Sequence, residues 1–275
     1  MFFNFSICIS VMACQSNIVK GEIMSSYIRE LQRLLSYVRR AVDDYGMIEE
    51  GDKIAVGVSG GKDSLAMLEG LSELRRFYPK KFTLAAVTID MGFDGVDFSD
   101  VAEFCSRRGI EYKIVPTDIY KIIFEVRKEP NPCSLCARMR RGAIHDAAKE
   151  LGCNKIALGH HYDDVVETFM LNLFYEGRIG CFSPVTYLSR KDITLIRPML
   201  YMPEKTIKEF TKKVTLPIVE TPCPADKNSE RANMKALLAG LERDSKGLKT
   251  RIFGAIARAG VDGFEVKGKL PYTEQ

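Results

Sequence analysis

Between Ile54 and Leu74 the chain changes its hydrophobic period once, and that change fixes most of what it can fold into. Ile54-Ala55-Val56-Gly57-Val58 is a short apolar, β-branched run, and Ser59-Gly60-Gly61-Lys62-Asp63-Ser64 follows it. Leu65, Met67, Leu68, Leu71 and Leu74 then recur in a helical pattern. The order is strand, glycine turn, helix N-terminus. Two adjacent glycines let the backbone curl and leave room for an oxyanion to approach the amides. The helix behind them adds unpaired N–H groups and the positive end of its dipole. The stretch predicts a phosphate cradle.

It differs from the P-loop with Gly, four spacers and Gly-Lys-Ser/Thr. Gly57 stands only four positions before Gly61, and Asp63 rather than a hydroxyl follows Lys62. The same strand–helix alternation continues downstream. Strands are expected at Phe82 to Ile89, Glu111 to Val115 and Lys155 to Leu158. Helices are expected at Ser64 to Phe77, Val101 to Arg108, Ile119 to Val126, Ala137 to Leu151 and Tyr162 to Tyr175. Such alternation predicts an α/β fold with a doubly wound, mostly parallel sheet. Ligands in these sheets bind beyond the carboxyl ends of the strands, where strand order reverses.

A helix is also expected over Tyr27 to Tyr45, with Ile28, Leu31, Leu34, Leu35, Val38 and Val42 on its apolar side and Gly46 ending it. Arg29, Arg33, Arg39 and Arg40 line its other side, either as a solvated face or as RNA contacts. Residues 1–23 differ in character. Met1 to Cys14 is apolar, but no Lys or Arg precedes Lys20, and the run is too short to span a bilayer. Met24 is the expected natural start, with the leader as an upstream extension. The expected division is therefore 1–23 leader, 24–50 N-terminal helix, 51–220 nucleotide domain and 221–275 C-terminal helical segment. A chain of 275 residues suits one large domain, and a net charge of +4 permits a nucleic-acid partner without requiring one.

A second motif falls where the sheet rule places it. Gly159-His160-His161-Tyr162-Asp163-Asp164 follows the strand Lys155 to Leu158, with Glu167 and Thr168 on the helix beyond. Paired acids there suit magnesium, or are first-turn acids favoured by the helix dipole. A third motif uses the cysteines, eight in all. Pro132-Cys133-Ser134-Leu135-Cys136 presents two sulfurs on one side, for a metal, a cluster or a dithiol. Cys223 stands between Pro222 and Pro224, which stiffen its backbone. Three such cysteines are too few for a closed zinc site but suffice for an iron–sulfur cluster with one iron open; zinc is the other reading. Cys105, Cys153 and Cys181 are expected as buried core residues, and Cys8 and Cys14 lie in the leader.

The Ser-Gly-Gly-x-Asp-Ser turn is the signature of the PP-loop ATP pyrophosphatases. From about Met24 to Phe264 the chain resembles the tRNA-cytidine(32) 2-sulfurtransferase family within them. The resemblance is carried by Ile48 to Asp52, Ser59 to Ser64, Cys133 to Gly142, Ala157 to Asp164, Glu167-Thr168 and Ile196 to Met199. It implies an adenine nucleotide alpha-hydrolase-like fold with helical additions at both ends, and a cytoplasmic homodimer using ATP, Mg2+ and a [4Fe–4S] cluster. Cluster ligation carries over to Cys133, Cys136 and Cys223. Nucleotide binding carries over to Ser59, Gly60, Gly61, Lys62, Asp63 and Ser64, and to Arg140, Gly159 and Asp164. Asp63 is the expected magnesium ligand, and Asp63, Lys62 and Cys223 are the expected catalytic set. One departure is that Pro222-Cys223-Pro224-Ala225-Asp226 keeps a single cysteine where relatives often carry a second Cys-x-x-Cys.

The implied partners are a tRNA anticodon stem-loop and a sulfur donor, either a cysteine desulfurase or free sulfide. Arg231, Lys235, Arg243, Lys246, Lys249, Arg251 and Arg258, with Arg138 and Arg141, are the candidate phosphate contacts; a solvated helix face is the other reading. The rival functions are thiolation of a uridine, an amide-forming ligase, a zinc-stabilised RNA-binding protein, and a desulfurising enzyme that works without ATP.

Overall fold

The computed structural model describes residues 27–225 and 229–265. The leader with its Cys8 and Cys14, Met24 and Asp226 lie outside them. The helix α1 (residues 27–44) stops before Gly46, whose φ of +58° is open to glycine at low cost. There follow β1 (Asp52–Gly57), α2 (Lys62–Leu74), β2 (Phe82–Asp90), α3 (Ser99–Arg107) and β3 (Glu111–Pro116). After a π-helical turn (Lys121–Val126) come α4 (Pro132–Glu150), β4 (Lys155–Ala157) and α5 (Tyr162–Tyr175). The chain closes with β5 (Val185–Leu188), β6 (Ile193–Ile196), α6 (Glu204–Lys213), α7 (Glu230–Asp244) and α8 (Leu248–Arg258).

The six strands form one sheet in the order β3-β2-β1-β4-β6-β5. β1 pairs in parallel with β2 on one side and β4 on the other, and only the edge strand β5 runs antiparallel, against β6. The sheet is therefore α/β and mostly parallel, with order reversing at β1/β4. The central strands are buried almost continuously, because both faces of the sheet are covered, and successive residues face opposite sides. Ile54 and Val56 face a large cluster built with α1, α2, α3 and α5, whereas Ala55, Ala85 and Val87 face a smaller one capped by Ile144, Ala147 and Ala148 of α4.

Two boundaries differ from the sequence expectation in a way that matters for chemistry. α2 begins at Lys62, two residues earlier than Ser64, so Lys62 and Asp63 sit in its first turn. α4 begins at Pro132 rather than Ala137, so Cys133 and Cys136 are helical rather than part of a loop turn. Proline is tolerated at the first helical position because its missing N–H has no intrahelical partner there anyway. An i,i+3 spacing in a helix still puts the two thiols on one face.

Candidate active site at the strand-order reversal

The loop between β1 and α2 is held by its own serines. The Ser59 amide donates to Ser64 Oγ at 3.1 Å, and Ser64 Oγ donates to the Gly61 carbonyl at 2.9 Å. Gly61 caps α2 without a side chain to offer its first-turn amides. Thr88 anchors the turn from the neighbouring strand: fully buried, it donates to the Val58 carbonyl at 2.7 Å. Gly60 has φ +84°, and a Cβ there would lie 2.9 Å from Val219 Cβ. Gly60→Ala should therefore combine left-handed strain with a clash, costing about 1–3 kcal/mol. A fall in thermal midpoint together with weakened ATP binding is the expected readout.

The β4–α5 loop forms the facing wall. A Cβ on Gly159 would meet the Ser64 amide nitrogen and Cα at 3.4 Å, so glycine lets this loop close on the start of α2. His161 caps α5: its backbone amide donates to Asp164 Oδ2 at 2.9 Å, and its Nδ1 accepts from the Asp164 amide at 3.4 Å. The two acids of the motif divide their work. Asp163 is buried, accepts from the Glu204 amide at 2.8 Å and pairs with Lys249 at 2.6 Å. Burial works against its charge, but Lys249 and the Glu204 amide outweigh it and lower its pKa. Asp163 is thus an anchor for α6 and α8, which corrects its reading as half of a magnesium pair. Asp164 carries the capping box and meets Arg231 at 3.5 Å.

Asp63 is placed differently. Its Oδ2 pairs with Lys62 at 3.0 Å, while its Oδ1 is buried with no hydrogen-bond partner, 4.0 Å from His161 Nε2. Lys62 also reaches Glu204 Oε1 at 3.3 Å. Burial lowers the lysine pKa, but Asp63 and then Glu204 overcome it and leave the value raised. A charged ammonium and one unsatisfied carboxylate oxygen therefore stand together at the cradle.

Further buried atoms without hydrogen-bond partners, His160 Nδ1, Glu167 Oε1 and Arg197 Nε, also lie on residues at or beyond the carboxyl ends of β4 and β6. His160 packs on Phe182 with ring centroids 4.8 Å apart, and the Arg197 guanidinium lies 5.0 Å from the centroid of the same Phe182 ring. Burial first, then the charge of Arg197, drives the His160 pKa from 6.5 down to about 4. Between those values the unfolded chain binds a proton that the folded chain refuses. Stability is thus complete above pH 6.5 and declines as pH falls towards 4, by up to about 3 kcal/mol. Glu167, whose pKa burial raises, opposes this trend. Comparing melting profiles of the unsubstituted chain and His160→Gln isolates the histidine, and the variant should show the shallower acid decline.

The three candidate cysteines are free thiols; Cys133 is exposed, and Cys136 and Cys223 are half-buried. Burial raises the Cys136 pKa, Arg140 opposes it, and the fields of Cys223 and Cys133 add to it. Arg140, one turn along α4, stands against the Cys136 thiol. Cys136 Sγ also lies 3.9 Å from Met91 Sδ, beyond the end of β2. Among the described residues no group of three His, Cys, Asp or Glu is arranged to hold a metal ion. The segment bearing Cys223 is tied to the phosphate cradle, since the Val219 amide donates to the Gly60 carbonyl at 3.0 Å. Of the other cysteines, Cys105 and Cys153 are buried as expected, and Cys181 is only half-buried.

Several cations expected at RNA phosphates pair with acids of the site. Arg231 meets Asp164, Glu167 and Thr168, Lys235 meets Glu204 at 2.8 Å, and Lys249 meets Asp163. Glu204 itself gave no sequence signal, because its partners lie on three separate elements. Arg138, Arg141, Arg243 and Lys246 are exposed at the surface. No helix among the described residues is long and apolar enough to cross a membrane.

Comparison with known proteins places this geometry. The sequence model of the PP-loop domain matches residues 28–240. The chain is 40% identical over 228 residues to a tRNA-cytidine(32) 2-sulfurtransferase of Geobacter sulfurreducens, covering 82% of this chain and 89% of the relative. It is 42% identical over 236 residues to the protein of that name from Pelobacter propionicus, covering 84% and 88%. Among solved structures it is similar to the U34-tRNA thiolase NcsA from Methanococcus maripaludis with its [4Fe–4S] cluster: TM-score 0.68, 28% identity, 82% of this chain and 77% of that one. With a glycine cradle at the β1/β4 reversal, a serine-locked turn and 40% identity over four-fifths of its length, the chain belongs to the tRNA-cytidine(32) 2-sulfurtransferase family of PP-loop proteins.

Proposed function

We propose that this protein is an ATP-dependent tRNA thiolase that replaces the C2 oxygen of cytidine 32 by sulfur. The observation that carries the reading is the coupling of two chemistries at one end of the sheet. Val219 binds the phosphate cradle four residues before Cys223, and Cys133 and Cys136 share one face at the start of α4, beside Met91 beyond the end of β2. An amide-forming ligase needs the cradle alone.

In this reading the ATP phosphates lie over the loop amides, the start of α2 and Lys62. The C2 carbonyl oxygen of the base attacks the α-phosphorus and pyrophosphate leaves, giving an adenylated base. A sulfur nucleophile then adds at C2 and AMP departs, carrying away the original oxygen. Activation is needed because a carbonyl oxygen leaves poorly and a phosphate ester leaves well. The unpartnered Asp63 Oδ1 fits a hard cation, and Mg2+ there would neutralise charge on the departing pyrophosphate. Cys133, Cys136 and Cys223 are free thiols of the right chemistry for a cluster with one open iron and would have to draw together to hold it; when bound it would supply the site from which sulfur is delivered. Arg140 tempers the Cys136 thiol towards its anionic, ligating form. The exposed Arg138 and Arg141 flank the thiols and suit an RNA backbone.

The anticodon stem-loop, a cysteine desulfurase or free sulfide as donor, a homodimeric state and a cytoplasmic location complete the proposal. The test is anaerobic purification followed by an assay of 2-thiocytidine in tRNA with ATP and sulfide. The reading expects a coloured protein whose product depends on both. A colourless, zinc-loaded and fully active protein would defeat the cluster. Thionucleoside analysis separates the cytidine reading from uridine thiolation, the activity in the name of the solved archaeal relative.

A further inference from the structure

Glu204, the first residue of α6, is 8% exposed and is fixed from every side. Its backbone amide donates to Asp163 Oδ2 at 2.8 Å, which sets the α6 terminus against α5. Its Oε2 meets Lys235 of α7 at 2.8 Å and Lys208 of α6 at 3.1 Å, and its Oε1 meets Lys62 of the cradle at 3.3 Å. One buried carboxylate thus joins the nucleotide loop to the C-terminal helices.

A lysine side chain gives up much of its rotamer freedom when it is held in one position. Lys62 is held here by two carboxylates, Asp63 and Glu204. The first is the one with a free oxygen for a cation, so its grip on the ammonium weakens when that oxygen and its partner turn to a metal. Glu204 has no such competing duty, since its remaining contacts are all cations of the fold. It is the carboxylate that keeps Lys62 aimed while ATP is bound.

We infer that Glu204 is a positioning residue of the nucleotide site, acting through Lys62 and braced by Lys235. The inference rests on the reading of the loop as the ATP site and on nothing about sulfur transfer. Its test is ATP affinity, measured in the full chain with Mg2+ and without tRNA. Glu204→Gln should bind ATP about tenfold more weakly, within the range of direct pair couplings. In a Lys62→Met background the same change should move affinity less than about twofold, because the group it positions is gone. A purely structural role predicts that the two losses multiply, and that result overturns the inference, as does wild-type affinity in Glu204→Gln. Should Glu204→Gln fail to fold, Lys235→Met loosens the brace while leaving the carboxylate in place. It should weaken ATP binding in the unsubstituted background and not in Lys62→Met; equal losses in both again overturn the inference. A chain that binds no ATP at all overturns the loop reading and the inference together. A chain that binds ATP but thiolates no tRNA fails the proposed function alone.

Discussion

Asp63→Asn should lower ATP-dependent turnover by about 10²–10³-fold, the size of effect seen when one preorganised electrostatic group is lost from an active site. The reason lies in the two oxygens of the carboxylate. One is committed to Lys62 at 3.0 Å, and the other is buried with nothing to bind. Asparagine keeps the shape but removes the charge that a divalent cation requires, and its amide replaces one acceptor oxygen by an N–H₂ donor. The loss should fall mainly on kcat, and raising the magnesium concentration should restore part of it. A variant with full turnover at low magnesium would show that Asp63 does not hold the metal.

Cys223→Ser should reduce thiolation by more than about 100-fold, since outer partners of a metal site already account for about 10–100-fold. ATP binding should change only a few-fold, because the contact between this segment and the cradle is a backbone one, from the Val219 amide to the Gly60 carbonyl. Iron content should drop with activity. Retained iron with lost activity would move Cys223 from ligand to catalytic thiol. Retained activity would remove it from the site altogether.

The parts legible in the sequence were those written in local pattern. The helix Tyr162–Tyr175 is expected at its observed bounds, because a strand end and a glycine turn precede it and first-turn acids open it. The cradle was legible for the same reason. The hairpin β5–β6 was not, since its strands are four residues each and too short for a period to show. The start of α4 was misplaced because Pro130 and Pro132 suggest an irregular loop, whereas Pro132 only opens a helix. The charge network was hidden most completely. Lys249 lies 86 residues from Asp163, and a cation read in isolation looks the same whether it faces RNA or a buried acid. Arg231, Lys235 and Lys249 were legible as positive, and their partners were not.

The link between Val219 and Gly60 also works as a ruler. Four Cα steps separate Val219 from Cys223, so the Cα that carries the third thiol can lie no farther than about 14 Å from that of the residue clasped to the cradle. The Cys223 amide turns back to the Thr221 carbonyl at 2.8 Å, which shortens that reach further. Distance between the activated base and its sulfur source is therefore a matter of chain length as well as of packing. Lengthening this tether by single glycines should uncouple adenylation from thiolation stepwise, so that ATP is spent on bases that water, not sulfur, returns to their starting form.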